Sequence, residues 1–469
     1  MRRRIGAVMD GGLAGLVGHA LYRMEGRDGM RGAVRGLARM GHANLHLLRD
    51  YTKLIGGSAG RLVLSLLYFT AVANALSIAG FGLFATASGT GIVLSRIAGF
   101  GFVSPLYRAA TRKPQLIGTY SAGYLAALLA SLPVVALVAL GFYGLVFEGD
   151  MGLLPFALVV AAEIIGWRSL EVVCIVNNGM GRFGRASVLV IVGSAAKALA
   201  ALLFAHAGLA QTDLLSWSVF YFAANAGSAL LGIVLFYPRQ RLRWRPALYL
   251  RRLGDSLAVA GAEILFYLQS EMDKLLVLSL GGPAIAGIYA MLMRLIDLTA
   301  LPVRSFNMMI VQKLIRTPGL LQSWRRRWMT EGGIALVSVA GMGALGLILA
   351  VAPTLLGRNV ADAAPLVLLV LLVPAFRNLV EYQSELLYAR GRTGMRAAIL
   401  ALLGLLKAGF LTLLLQGAAT TPDDQWILGL NGVFAALWIA SAGATYIALD
   451  WRSRSPRDGP SGAPDIATA

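Results

Sequence analysis

The stretch Leu253–Phe306, LGDSLAVAGAEILFYLQSEMDKLLVLSLGGPAIAGIYAMLMRLIDLTALPVRSF, reads as two membrane-crossing segments, Asp255–Gly281 and Ala284–Phe306. Each is mostly apolar, yet together they hold Glu263, Glu271, Asp273, Lys274, Arg294, Asp297 and Arg304. A charge near the bilayer centre costs several kcal/mol, so such residues face a bundle interior or a wet cavity rather than lipid. Helical spacing groups them. Glu263, Tyr267, Ser270 and Lys274 fall on one face, and Arg294, Asp297, Leu301 and Arg304 on another. Two neighbouring helices therefore each carry a polar stripe. The acids and bases can pair with one another as structural glue. Seven charges in one hairpin favour a water-filled cavity.

Composition agrees with a membrane protein. The 469 residues are 57% hydrophobic, and mean hydropathy is +0.70, which points to a polytopic chain rather than a soluble one. The formal net charge of +19 would suggest nucleic acid in a soluble protein. Here the bases lie between apolar runs, where they set orientation, so no nucleic-acid partner is expected. The single cysteine, Cys174, can build neither a disulfide framework nor a thiolate metal site.

Read in order, the chain starts with a Gly- and Arg-rich cytoplasmic extension, 1–57, carrying ten Lys/Arg. Twelve apolar spans follow, near 60–79, 82–104, 119–147, 153–178, 187–209, 214–237, 255–281, 284–306, 333–356, 365–389, 396–418 and 426–450. Residues 451–469 are a polar, Pro/Gly/Ser-rich tail of disordered character. With the N-terminal ten, 32 bases fall on one side of the membrane, including Arg108, Arg112, Lys113, Arg243, Arg245 and Arg252. The loops of the other side hold Arg358 as their single base, beside Glu148, Asp150, Asp213, Asp362, Asp423 and Asp424. This alternation predicts twelve crossings with both termini inside.

The chain also repeats itself. Gly82-Leu83-Phe84-Ala85 matches Gly287-Ile288-Tyr289-Ala290, and Trp167-Arg168-Ser169-Leu170 matches Phe376-Arg377-Asn378-Leu379. Short turns follow, Gly181–Gly184 and Gly391–Gly394, and thirteen residues after each comes a lone lysine in an apolar helix, Lys197 and Lys407. Six spans separate the partners. The expectation is an all-α polytopic membrane protein of twelve transmembrane helices in two six-helix lobes, 58–237 and 254–450, joined by a cytoplasmic linker, 238–253. A pseudo-two-fold along the membrane normal would relate the lobes, with a site at their interface.

Arg168, Lys197, Lys274, Arg294, Arg304, Arg377 and Lys407 are the cationic candidates for one central cavity, which suits an anionic substrate, and arginine suits phosphate in particular. Among the acids, Glu263, Asp273 and Asp297 lead as proton-coupling candidates, because a membrane-embedded carboxylate can change its protonation. Glu163 and Glu171 are ambiguous, and Arg377–Glu381 is a natural i,i+4 pair. No phosphate-binding G-x-x-x-x-G-K-[ST] loop and no H-E-x-x-H helix occurs, so neither a nucleotide motor, a metal centre nor a cofactor is expected, and the chain does not read as an enzyme.

Two further runs, Asp50-Tyr51-Thr52-Lys53-Leu54-Ile55-Gly56-Gly57-Ser58-Ala59-Gly60-Arg61-Leu62 and Phe81-Gly82-Leu83-Phe84-Ala85, resemble the start of bacterial Wzx-like polysaccharide-biosynthesis flippases. With the span count and the repeat, the resemblance extends over residues 50–450. It implies the fold of the multidrug/oligosaccharidyl-lipid/polysaccharide exporter superfamily, working by alternating access in the bacterial inner membrane. It implies an anionic cargo, an undecaprenyl-diphosphate-linked oligosaccharide for surface polysaccharide, surrounded by membrane lipids, with polysaccharide polymerase or export proteins as candidate partners. The extension 1–49 departs from that family. Two alternatives stay open: a cation-coupled multidrug exporter of the same fold, and a membrane polymerase or ligase acting on lipid-linked glycans. The first helix holds no coupling acid, which speaks against the former, and the short outside loops speak against the latter.

Overall fold

Apolar runs of twenty or more residues can satisfy their backbone within lipid only as helices or closed barrels, and here they are helices. A computed structural model describes residues 62–207, 214–300, 324–418 and 425–451, together with Gly60 and a few positions between 303 and 310. The extension 1–57, Arg61, Lys313, Arg316 and the tail beyond Trp451 lie outside the described residues.

The helices in chain order are α1 Leu62–Ala75, α2 Ile78–Ile97, α3 Val103–Arg112, α4 Ile117–Phe142, α5 Leu153–Ala161 and α6 Arg168–Gly179. Then come α7 Phe183–His206, α8 Leu214–Phe236, α9 Pro246–Thr299, α10 Trp324–Val351 and α11 Arg358–Ala363. The last three are α12 Val373–Ala389, α13 Thr393–Ala418 and α14 Gln425–Trp451. Among the described residues, eight helices are long and apolar enough to cross a membrane, and a ninth span forms if the pair around Val370–Val373, bent by 66°, is taken as one. Leu137, Leu145 and Val351 stand at least 70% exposed. Such outward apolar side chains are at home only against lipid, and with the helix lengths they make this a multi-pass membrane protein.

The opening stretch folds into two arms, in line with the two segments read from its sequence. In a straight helix Asp273 and Tyr289 would stand about 24 Å apart. Instead the Tyr289 hydroxyl donates to Asp273 Oδ2 at 2.7 Å. The chain folds back at Gly282, whose φ of 78° is left-handed and suits glycine, and Pro283 follows to start the second arm.

Helix α2 packs along both arms of α9. Gly82 and Gly287, first residues of the repeated motif, meet at this crossing. A methyl group on Gly82 would overlap the Pro283 carbonyl and lie 2.5 Å from Gly287 N, while one on Gly287 would overlap the Ile78 carbonyl. Each glycine thus touches backbone one helical turn before the other, a local two-fold contact. Register gives the helix directions. Ser88 contacts Glu163 and Arg96 contacts Glu171, so α2 and the α5–α6 segment run parallel. Gly89 lies by Glu271 whereas Gly101 lies by Ser256, so α2 runs opposite to the first arm of α9.

Three boundaries differ from expectation. Helix α9 starts at Pro246, so much of the expected linker 238–253 is helical. The second span stops near Ile97, because Gly99, Phe100 and Gly101 take left-handed φ of 74°, 48° and 71°, and an α-helix cannot continue through that. The short amphipathic α3 then follows where a loop was expected. The span expected at 365–389 is broken, with its first part beginning at Arg358.

Candidate functional site

The charges inside the bundle gather into three groups. The first joins α2, α6 and the first arm of α9. Arg96 Nη1 donates to both Glu171 oxygens at 3.0 and 2.9 Å. Arg168 Nη1 donates to Glu171 Oε2 at 2.7 Å and its Nη2 to Glu263 Oε2 at 3.3 Å. The Tyr267 ring lies 4.1 Å from the Arg96 guanidinium, a cation–π contact that covers its other face. Two bases and two acids make this group neutral. Arg96 and Arg168 are buried while Glu263 is 37% exposed, so the group opens toward space on the Glu263 side.

The asymmetry predicts unequal losses. Glu171→Gln strips the acid that holds both buried guanidinium groups at hydrogen-bond distance, 2.9 Å from Arg96 and 2.7 Å from Arg168, and should cost about 3 kcal/mol of stability. Glu263→Gln, at a half-open position, should cost about 1 kcal/mol or less. Thermal unfolding of both variants in detergent checks the ranking, and equal losses would sink it.

The second group sits between α9, α12 and α13. Lys407 Nζ lies 2.6 Å from Asp273 Oδ2, both side chains almost fully buried. Asp273 also accepts from the Tyr289 hydroxyl at 2.7 Å and the Lys274 backbone N–H at 2.9 Å. Lys274 Nζ bonds Glu271 at 2.5 Å. Asp297 takes Arg304 at 2.9 Å and Arg377 at 3.3 Å, while Arg304 also reaches Glu381 at 3.4 Å. Arg294 donates to Ser65 Oγ on α1 at 2.7 Å and lies within Coulombic reach of Asp297. Five bases meet four acids.

The third group is uncharged apart from its carboxylate and a nearby lysine. Glu163 is buried and accepts from Ser88 Oγ at 2.7 Å and from the Tyr221 hydroxyl. It lies in a π-helical turn, Ala162–Trp167, the kind of irregularity frequent at functional sites. Aromatic rings surround it, Phe84 against Trp217 at 5.4 Å and against Tyr221 at 5.0 Å. Lys197 Nζ sits 3.9 Å from the Trp167 ring centroid. Glu331 on α10 has similar neutral donors, Gln383 Nε2 at 3.3 Å and the Tyr446 hydroxyl.

The expected cations therefore do not line one cavity as bare charges. Arg168 belongs to the first group, and Lys274, Arg294, Arg304, Arg377 and Lys407 to the second. Lys197 lies against the Trp167 and Tyr221 rings. Arg168, Lys274, Arg304, Arg377 and Lys407 are ion-paired, because an apolar bundle gives each base a strong preference for a nearby carboxylate. The expected Arg377–Glu381 pair is replaced by cross-helix pairs, Arg377 to Asp297 and Arg304 to Glu381. Glu263, Asp273 and Asp297 all turn out to face bases. Glu331 was not singled out by the sequence, since the span predicted from 333 excluded it. Its signal was a lone acid a few residues inside α10.

No protein-family model matches this sequence, and no curated protein matches it. Solved structures do. The chain superposes on an inward-facing multidrug resistance MATE family transporter of the MOP superfamily with a TM-score of 0.58 and 17% identity, over 84% of this chain and 94% of that one. It superposes on the MATE multidrug transporter DinF-BH in complex with R6G at 0.56 and 16%, over 87% and 95%. A MOP superfamily transporter from Pyrococcus furiosus, whose binding pocket of reverse polarity suggests a different function, gives 0.56 and 15% over 85% and 92%. These likenesses show the all-helical fold of MATE transporters.

Proposed function

We propose that the protein is a secondary exporter that moves an amphipathic cargo across a membrane by alternating access. The observation that carries this reading is the set of acid–base groups buried within an apolar bundle of MATE-transporter fold. Stability alone does not call for so many intramembrane charges, and such residues mark substrate and proton pathways. The first group spans α2 and α6 on one side and α9 on the other. Glu263 makes its longest contacts, 3.3 Å to Arg168 and 4.0 Å to Arg96, so it is the carboxylate that a separation of these helices releases first.

Glu163 is the coupling acid in this reading. Its direct hydrogen-bond partners are hydroxyls, which can serve a carboxylate as donors and a carboxylic acid as acceptors. Glu163→Gln keeps the shape and should abolish the response of transport to an imposed proton gradient. Reconstituted vesicles with and without the gradient check this, and an undiminished response would remove Glu163 from the mechanism.

The cargo is a multidrug compound in the reading that the structural neighbours support, two of them being multidrug transporters. One observation favours a second cargo, the lipid-linked oligosaccharide diphosphate. The second buried group carries five bases to four acids, and the loops of one end are rich in arginine, which suits an anion. In either case the excess of arginine supports that end facing the cytoplasm, with both termini on the cytoplasmic side of a bacterial inner membrane.

A further inference from the structure

At the arginine-rich end, away from the buried groups, a cavity of about 520 Å³ opens between α3, the start of α4 and the segment leading into α9. Arg108, Arg112, Lys113, Arg243, Arg245 and Arg252 line it. Among the described residues a single acid, Asp255, pairs with any of them, 4.0 Å from Arg108 and 3.7 Å from Arg252. Six positive charges facing one hollow repel one another and raise the local concentration of anions.

The walls are fixed rather than loose. Gln240 Oε1 accepts from Gly118 N at 2.9 Å and Gln240 Nε2 donates to the Pro114 carbonyl at 2.8 Å, pinning the segment onto the α3–α4 turn. The Tyr249 hydroxyl lies 2.9 Å from both the Thr119 and the Arg243 carbonyls, with one proton to share between them, and accepts from Arg245 N at 3.1 Å. The backbone that carries Arg243 and Arg245 is thus held in place by α4 and α9, and the arginines start from a set geometry. Planar guanidinium groups recognise phosphate by paired hydrogen bonds.

We propose that this pocket binds a phosphate-bearing headgroup at the membrane surface. The site is independent of the cargo reading. The volume lies within the range of small-molecule sites, large enough for a diphosphate or the head of an anionic lipid.

The test uses the full-length purified protein in a neutral detergent. Binding of inorganic pyrophosphate and of short-chain phosphatidylglycerol is measured by thermophoresis, with short-chain phosphatidylcholine as the zwitterionic control. Pyrophosphate, phosphatidylglycerol or both should bind better than the control, and affinity should fall as salt rises. Pyrophosphate alone would identify a soluble diphosphate as the ligand, and phosphatidylglycerol alone a lipid head. Arg112→Gln/Arg243→Gln/Arg245→Gln should weaken binding roughly 10-fold or more. Removing three bases elsewhere, Arg182→Gln/Arg185→Gln/Arg392→Gln, should change it by less than about 3-fold. If the pocket triple variant does not purify folded, Arg243→Gln alone carries the comparison against Arg392→Gln. Binding of neither anion above the control, or equal loss in both sets, overturns the proposal.

Discussion

Lys407→Met is expected to lower the stability of the folded protein by about 3 kcal/mol, and adding Asp273→Asn is expected to return most of that loss. The reason is the setting of the pair. Lys407 Nζ and Asp273 Oδ2 are 2.6 Å apart and both side chains are almost fully shielded. Removing the lysine alone strands a carboxylate that still receives Tyr289 and the Lys274 backbone but has lost its adjacent cation. It must then stay charged in an apolar place or take up a proton, and both cost free energy. The double variant removes the charge and keeps the shape. Reversible unfolding in mixed micelles measures the cycle. A single variant as stable as wild type would mean that the pair contributes nothing. For transport the same geometry makes Lys407 a structural cation first. Neutralising it together with Lys197 is therefore a stability lesion as well as a change of cavity charge.

Gly287→Ala should cost about as much, roughly 3 kcal/mol, because overpacking at a close helix crossing forces backbones apart. The added methyl would overlap the Ile78 carbonyl and sit 2.8 Å from the carbonyl carbon. No side chain can swing away to relieve it, since the atoms it meets are mostly backbone. Gly82→Ala meets the same problem at Pro283 and Gly287 N. The two variants combined should cost less than their sum, because once α2 and α9 have parted for one methyl, the second finds room. Unfolding of the two singles and the double in detergent gives the comparison. Strict additivity would show that the two glycines do not share one crossing.

Much of this architecture is legible in residues alone. The Gly281-Gly282-Pro283 break fixes the α9 hairpin, and the repeated Gly82 and Gly287 mark the contact where the two motifs meet. Apolar runs locate most helices within a few residues. Other features leave little trace. The left-handed turn at Gly99–Gly101 interrupts an apolar run without a proline. The π turn holding Glu163 depends on a backbone shift that hydrophobic pattern does not encode. Charge pairing is the hardest to read. Arg377 and Glu381 have ideal i,i+4 spacing, yet Asp297 near the end of α9 and Arg304 just beyond it offer each a partner within 3.4 Å. Sequence spacing ranks neighbours along one helix, whereas burial rewards whichever partner the packing of several helices brings closest.

The most direct measurement is transport by proteoliposomes holding the wild-type protein or Glu163→Gln, under an imposed proton gradient. Two cargoes are followed separately, a cationic dye and a fluorescent polyprenyl-diphosphate oligosaccharide. The account predicts that at least one moves faster than in protein-free vesicles, that the gradient drives it, and that Glu163→Gln loses this drive. Movement of neither cargo above the protein-free rate, by protein shown to be folded, would contradict it.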